Sequence, residues 1–135
     1  MSVHYTAVAT ANGRDGRAVS SDGKLDLRLA PPREMGGSGD GTNPEQLFAA
    51  GYAACFASAM GAVARAERKD VRDVSVTAEV GIGGSVDEGF GLSVVLRVEL
   101  PEDLEGGRDL VERAHKVCPY SNATRGNIPV ELVIE

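Results

Sequence analysis

The chain has 135 residues, enough for about one domain with a single core of its own. It is 42% hydrophobic and 25% charged, a globular balance, and with three Tyr, three Phe and no Trp the core has to be aliphatic and alanine-rich. A net charge of −6 without a basic run, together with the shortage of stacking rings, argues against nucleic acid as a partner. The longest apolar stretch, residues 47–64, is interrupted by Gly51, Cys55, Ser58 and Gly61 and is rich in alanine rather than leucine, which argues against a membrane span. Met1-Ser2-Val3-His4-Tyr5 carries no basic segment followed by an apolar one, so no signal peptide is expected and the cytoplasm is the expected location.

In chain order, Val3, Tyr5 and Ala7 alternate in the manner of a strand, and Asn12-Gly13 and Asp15-Gly16 turn the chain over residues 12–16. Ala18 to Ser20 begins a return strand and Ser21-Asp22-Gly23 turns again. Leu25, Leu27 and Leu29 then sit at period two, predicting a third strand with one buried face. Residues 31–42, with their prolines and glycines, form a loop with scope for movement. Asn43 is placed as the N-cap of a helix with Pro44 at its first position and Gln46 able to complete a capping box. That helix is expected to run to about Lys69. Its small residues, apolar most of the way round, suggest a central helix buried by more than one neighbour.

Val74, Val76, Ala78 and Val80 alternate, as do Leu92, Val94, Leu96 and Val98. The glycine-rich stretch from Gly81 to Gly91 reads as a long loop joining them into a hairpin. A second helix is expected over about Glu102 to Val117, ended by Pro119, and a last strand over about Ile128 to Ile134. The order βββ-α-ββ-α-β predicts an α+β fold, read as one domain over residues 1–135.

The chemistry rests on two thiols, Cys55 and Cys118, 63 residues apart. A permanent disulfide is not expected in a reducing compartment, and two buried free thiols is the plain alternative. Cys55 falls mid-helix, beyond the reach of the helix dipole, and its neighbours at spacings of three and four (Gly51, Tyr52, Ser58, Ala59) carry no charge. Reactivity at Cys55 therefore requires a cation from elsewhere, for which Arg14 and Arg17 are candidates, with Glu45 as the carboxylate that orients it. Taken alone, Glu45 reads first as a favourable acidic residue in a first helical turn. His115 and Cys118, three apart, could ligate a metal, but two cysteines and two histidines are too few for a closed zinc site.

Three blocks carry a resemblance. Thr42-Asn43-Pro44-Glu45-Gln46-Leu47-Phe48-Ala49-Ala50-Gly51-Tyr52-Ala53-Ala54-Cys55-Phe56 strongly resembles the central motif of the organic hydroperoxide resistance proteins, the Ohr subfamily of the Ohr/OsmC thiol peroxidases. Val117-Cys118-Pro119-Tyr120-Ser121-Asn122-Ala123-Thr124-Arg125-Gly126-Asn127-Ile128 looks like the family's second motif, and Gly13-Arg14-Asp15-Gly16-Arg17-Ala18-Val19-Ser20-Ser21-Asp22 is similar to the first. The likeness runs essentially end to end, and residues 83–90 match least well.

The resemblance implies an Ohr/OsmC-like fold, with antiparallel sheets around a long central helix of small residues, in an intertwined homodimer. It implies Cys55 as peroxidatic and Cys118 as resolving cysteine, with Arg14 holding the thiolate and Glu45 holding the arginine. The substrates would be bulky organic and fatty-acid hydroperoxides. The reductant would be an external dithiol, the dihydrolipoyl group of a lipoylated protein, and no metal, haem or flavin would take part. Arg17, Asn122 and Arg125 are given no catalytic role. A redox sensor or ligand-binding module of the same fold, and the osmotically induced OsmC branch, are the alternatives. If residues 45–55 are all helical, Glu45 and Cys55 lie about 15 Å apart along the axis and about 80° around it. The expectation is then that Arg14 and Glu45 serve the cysteine of a partner subunit.

Overall fold

The structure, a computed structural model, describes residues 1–135 and divides into two compact units, Met1–Leu47 and Phe48–Glu135. The first unit holds strands β1 (Ala9–Ala11), β2 (Arg17–Ser20) and β3 (Asp26–Arg28) in an antiparallel sheet of order β1-β2-β3. The turns fall where glycine and asparagine predict them. At the second turn Ser20 Oγ and the Lys24 amide both donate to Asp22 Oδ1, at 2.6 and 3.0 Å. Arg17, expected to be surface charge, is exposed and pairs across the sheet with Asp26 at 2.7 Å.

Two expectations for this unit fail. The first strand does not begin at Val3: residues before Ala9 lie outside any strand, and Val3 and Tyr5 are 69% and 78% exposed. Of the leucine series only Leu29 is buried, while Leu27 remains exposed. Period two assigned the faces, but three-residue strands in a small sheet have too little material to cover both. Within the loop at 31–42, Arg33–Met35 forms a 3₁₀ turn. The loop's ends are tied by the Ala30 and Thr42 amides, which donate to the carbonyls of Thr42 and Arg28, each at 2.9 Å.

Helix α1 spans Pro44–Ala66. Asn43 caps it as predicted, its Oδ1 accepting the Gln46 amide at 2.8 Å. The return arm differs, because Gln46 Oε1 accepts from the Thr42 hydroxyl at 2.6 Å. The helix ends three residues earlier than expected, in a Schellman turn. Lys69 N–H bonds back to the Ala64 carbonyl at 2.8 Å, and Arg68 takes the left-handed conformation at φ 59°. By length and composition α1 could cross a membrane, but Tyr52, Phe56, Ala59, Met60, Val63 and Ala64 are buried in the structure. The opposite stripe, Ala50, Ala54, Ser58 and Ala62, is exposed, so one chain buries one face of α1 rather than surrounding it.

In the second unit β4 (Ser75–Ser85) and β5 (Gly89–Glu99) pair antiparallel over their whole length, from Ser75 opposite Glu99 to Ser85 opposite Gly89. The expected loop between Gly81 and Gly91 is thus mostly ladder. Glycine discourages a strand by entropy, but backbone hydrogen bonds to a paired partner need no side chain. Strand β6 (Val130–Ile134) adds to β5 in parallel, Val94 opposite Val130, so this sheet is mixed rather than antiparallel throughout. A parallel neighbour requires a crossover, and the helices after β5 supply it.

Helix α2 (Gly107–Val117) starts five residues later than expected, behind Pro101 and the poor helix formers Gly106 and Gly107. Pro119 ends α2 as predicted and also opens a helix the sequence reading omits, α3 (Pro119–Thr124), with Cys118 at the junction. Val94, Leu96 and Val98 of β5, Leu110, Val111 and Ala114 of α2 and the buried face of α1 form the core with Cys118.

Candidate active site

In the first unit the structure brings together the two residues expected to form the cation site. Arg14 Nη1 and Nη2 donate to Glu45 Oε2 and Oε1 at 3.0 and 2.7 Å, a bidentate fork between the first turn and the first turn of α1. The guanidinium beside it holds the Glu45 carboxyl below the usual carboxylate range. The Arg14 pKa is raised in return, first by the same hydrogen bond. Glu45 therefore has both roles considered for it: the second residue of the helix, favourable to the dipole, and a clamp on the arginine. Two of the five guanidinium N–H groups are spent on Glu45, leaving three for another acceptor.

In the second unit the two cysteines share one cluster. Both are free thiols, Cys118 fully buried in the core and Cys55 half-buried and packed against the core residues that include it. Burial pushes the Cys55 thiol up; the backbone N–H of Tyr120, donating toward its sulfur, pulls it down; and the Cys118 thiol pushes it up again. Cys118 closes α2, its N–H bonding the Ala114 carbonyl at 2.8 Å. It also opens α3, its carbonyl accepting the Asn122 N–H at 3.0 Å. One residue is thus pinned by two helices.

Close approach between α1 and α3 depends on Gly51. A Cβ there would lie 2.8 Å from Tyr120 Oη, so the tyrosine ring covers the helix where no side chain stands. Phe48, Tyr52 and Tyr120 form an aromatic triangle, with ring centroids 5.6 to 6.1 Å apart. The His115 ring does not pair with Cys118 as a metal site would need; its Nδ1 is hydrogen-bonded to Ser121 Oγ at 2.7 Å. Arg125 ties the segment down, donating to the His115 carbonyl at 2.6 Å and to Asn122 Oδ1 at 2.7 Å.

Tyr52, Tyr120, Ser121 and Thr124 were not singled out from the sequence, and His115 was considered there only as a metal ligand. Their signal was the position of Ser121 and His115, three residues on either side of Cys118, which places all three at one helix junction. A separate surface cleft of about 460 Å³ beside Lys69, Arg72, Asp73, Pro101 and Leu104 is lined by neither cysteine.

Geometry of this kind can be compared with known proteins. The profile of the OsmC-like protein family matches residues 37–133. An organic hydroperoxide resistance protein of Xanthomonas axonopodis pv. citri is 59% identical over 136 residues, 98% of this chain and 95% of that protein. The organic hydroperoxide resistance protein OhrB of Bacillus subtilis is 42% identical, over 97% of this chain and 98% of its own. Among solved structures, an organic hydroperoxide resistance protein of Legionella pneumophila superimposes with a TM-score of 0.93 at 48% identity, covering 99% of both chains. With family profile, sequence relatives and fold in agreement, the chain belongs to the OsmC-like family and, within it, to the organic hydroperoxide resistance proteins.

Proposed function

We propose that this chain is a cysteine-based peroxidase that reduces organic hydroperoxides of the fatty-acid type to alcohols. The observation that carries the reading is that two free thiols 63 residues apart in sequence come to one core cluster, one half-exposed and one buried. The Cys55 thiolate attacks the distal oxygen of the hydroperoxide, the O–O bond breaks, and the alkoxide leaves and takes a proton as the alcohol. Cys55 is left as a sulfenic acid. The Cys118 thiol then condenses with it, forming the disulfide and releasing water, and an external dithiol such as a dihydrolipoyl group reopens the bridge by exchange. The uncharged α1 surface around Cys55 suits an apolar substrate tail, and the relatives' names specify organic hydroperoxides.

Burial and a neighbouring thiol both hold Cys55 protonated, so the reading needs a cation to oppose them. Arg14 is that cation in this proposal, with three free donors and Glu45 fixing its plane. Because α1 is unbroken from Pro44, Glu45 and Cys55 differ by about 15 Å along one axis and about 80° around it, which favours service to the thiolate of a second copy in a homodimer. The exposed small-residue stripe of α1 and the exposed Val3, Tyr5, Val8 and Phe90 are consistent with apolar surface that a second copy would cover. No metal or prosthetic group enters this reaction, and the cytoplasm, where lipoylated proteins and thiol reductants are found, is the proposed setting.

Steady-state consumption of cumene or linoleic hydroperoxide with dihydrolipoamide tests the proposal. Turnover that disappears in Cys55→Ser is the expected result. A single stoichiometric oxidation without turnover would reject the enzyme in favour of a redox sensor.

A further inference from the structure

Behind the two thiols lies a buried polar chain that the reaction above does not use. It joins the three helices that carry the cysteines: Tyr52 of α1, three residues before Cys55; His115 of α2, three before Cys118; and Ser121 and Thr124 of α3, three and six after it. Tyr52 and Ser121 are fully buried, and Thr124 is 1% exposed. Tyr52 Oη lies 2.8 Å from Ser121 Oγ and 3.2 Å from Thr124 Oγ1, and Ser121 Oγ lies 2.7 Å from His115 Nδ1.

One assignment of protons satisfies every contact. The Ser121 carbonyl can only accept, and in this assignment Thr124 donates to it at 3.2 Å. The Thr124–Tyr52 contact then uses the tyrosine proton, the Tyr52–Ser121 contact uses the serine proton, and the Ser121–His115 contact requires a proton on Nδ1. Each hydroxyl proton is used once and no buried hydroxyl is left over. Burial, and then the Arg125 charge, push the His115 pKa down, which favours the neutral ring. A connected chain of hydrogen bonds holds its members more tightly than independent contacts would.

We infer that Tyr52, Ser121 and His115 are positioning residues for the resolving step: their hydrogen-bonded chain holds the α2–α3 junction so that Cys118 captures the Cys55 sulfenic acid before a second hydroperoxide does. The inference rests on the peroxidase reading above. Two reactions compete for the sulfenic acid. Condensation with the Cys118 thiol gives the disulfide and water. Attack by the sulfenate on a second hydroperoxide transfers one oxygen, giving the sulfinic acid at Cys55 and one more molecule of alcohol. Only the first depends on where Cys118 is held. Tyr52 also connects the junction to the helix of Cys55, so loss of one hydroxyl uncouples the two sulfurs without removing either.

The test is the ratio of sulfinic acid to disulfide at Cys55, read by mass spectrometry on the full chain after a hydroperoxide titration without reductant. Tyr52→Phe, which deletes one oxygen and keeps the ring, and His115→Leu are expected to raise that ratio by about tenfold to a hundredfold, the range that misplacement of a reacting group produces. His115→Asn, whose side-chain amide can reach the same place as Nδ1, is expected to bring it back towards the wild-type value. A merely structural role would lower the melting temperature of Tyr52→Phe and His115→Leu and leave the ratio where it was, and that result would overturn the inference alone. Wild-type protein that yields no Cys55–Cys118 disulfide at all would overturn the peroxidase reading, and this inference with it.

Discussion

A thiol in the middle of a helix gains nothing from the helix dipole, and Cys55 is further penalised by burial and by a second sulfur beside it. The Tyr120 N–H is the one group acting on it that favours the thiolate, and a single neutral donor is a weak counterweight to burial. The Arg14–Glu45 fork makes sense against that deficit, since a carboxylate that fixes the guanidinium plane leaves the remaining donors pre-aimed. The sign follows directly. On the proposed role of Arg14, loss of the cation leaves only the Tyr120 N–H against the forces that hold Cys55 protonated, so Arg14→Ala is expected to shift thiolate formation to higher pH. Iodoacetamide alkylation at pH 7 is expected to slow by roughly tenfold, and its pH midpoint to rise. An unaltered midpoint would remove Arg14 from its role. The pair was legible as residue types, because an arginine in a turn and a glutamate at the start of a helix are visible in the sequence. Their meeting was implied by the family resemblance and not by the residues' own pattern, because it depends on how the first turn folds back over 31 residues.

Among the elements, the hairpin of β4 and β5 shows where composition misleads. Five glycines between residues 81 and 91 look like a loop, yet all five face strand partners and continue the ladder. They are not equivalent. Gly84 sits at φ 115°, and a Cβ there would lie 2.2 Å from the Gly89 carbonyl oxygen, whereas Gly83 has open space. Gly84→Ala is therefore expected to destabilise the protein by about 1–3 kcal/mol in urea unfolding, and Gly83→Ala to stay within about 0.5 kcal/mol of wild type. Equal effects would mean that the hairpin turns elsewhere. Helix α1 was legible at its start because the Asn43–Pro44 signal is local. Its end was not, because Arg68 occupies a left-handed position that glycine usually marks. Helix α3 was missed because Pro119 was read only as a terminator, although the same fixed φ that ends one helix suits the first position of the next.

For the molecule as a whole, the order of strands and helices was legible because hydrophobic periodicity is local and strong in β5 and in α2. What the sequence hid are features made from distant segments. The parallel seam between β5 and β6 needs a crossover, and the Tyr52–Ser121 bond joins residues 69 apart. A chain that leaves one stripe of its longest helix bare and carries exposed Val3, Tyr5 and Phe90 is expected to assemble. Light scattering behind size exclusion at micromolar concentration should report twice the monomer mass, and a monomer there would remove the proposed service of Arg14 to a second copy. The account stands or falls on Cys55 and Cys118 as one redox pair. Reacting the reduced protein with one equivalent of an organic hydroperoxide and mapping the peptides by mass spectrometry tests this most directly. The predicted product is an intrachain disulfide between residues 55 and 118, absent in Cys118→Ser, where Cys55 is trapped as the sulfenic acid. Recovery of both cysteines as free thiols, with the hydroperoxide unconsumed, would contradict it.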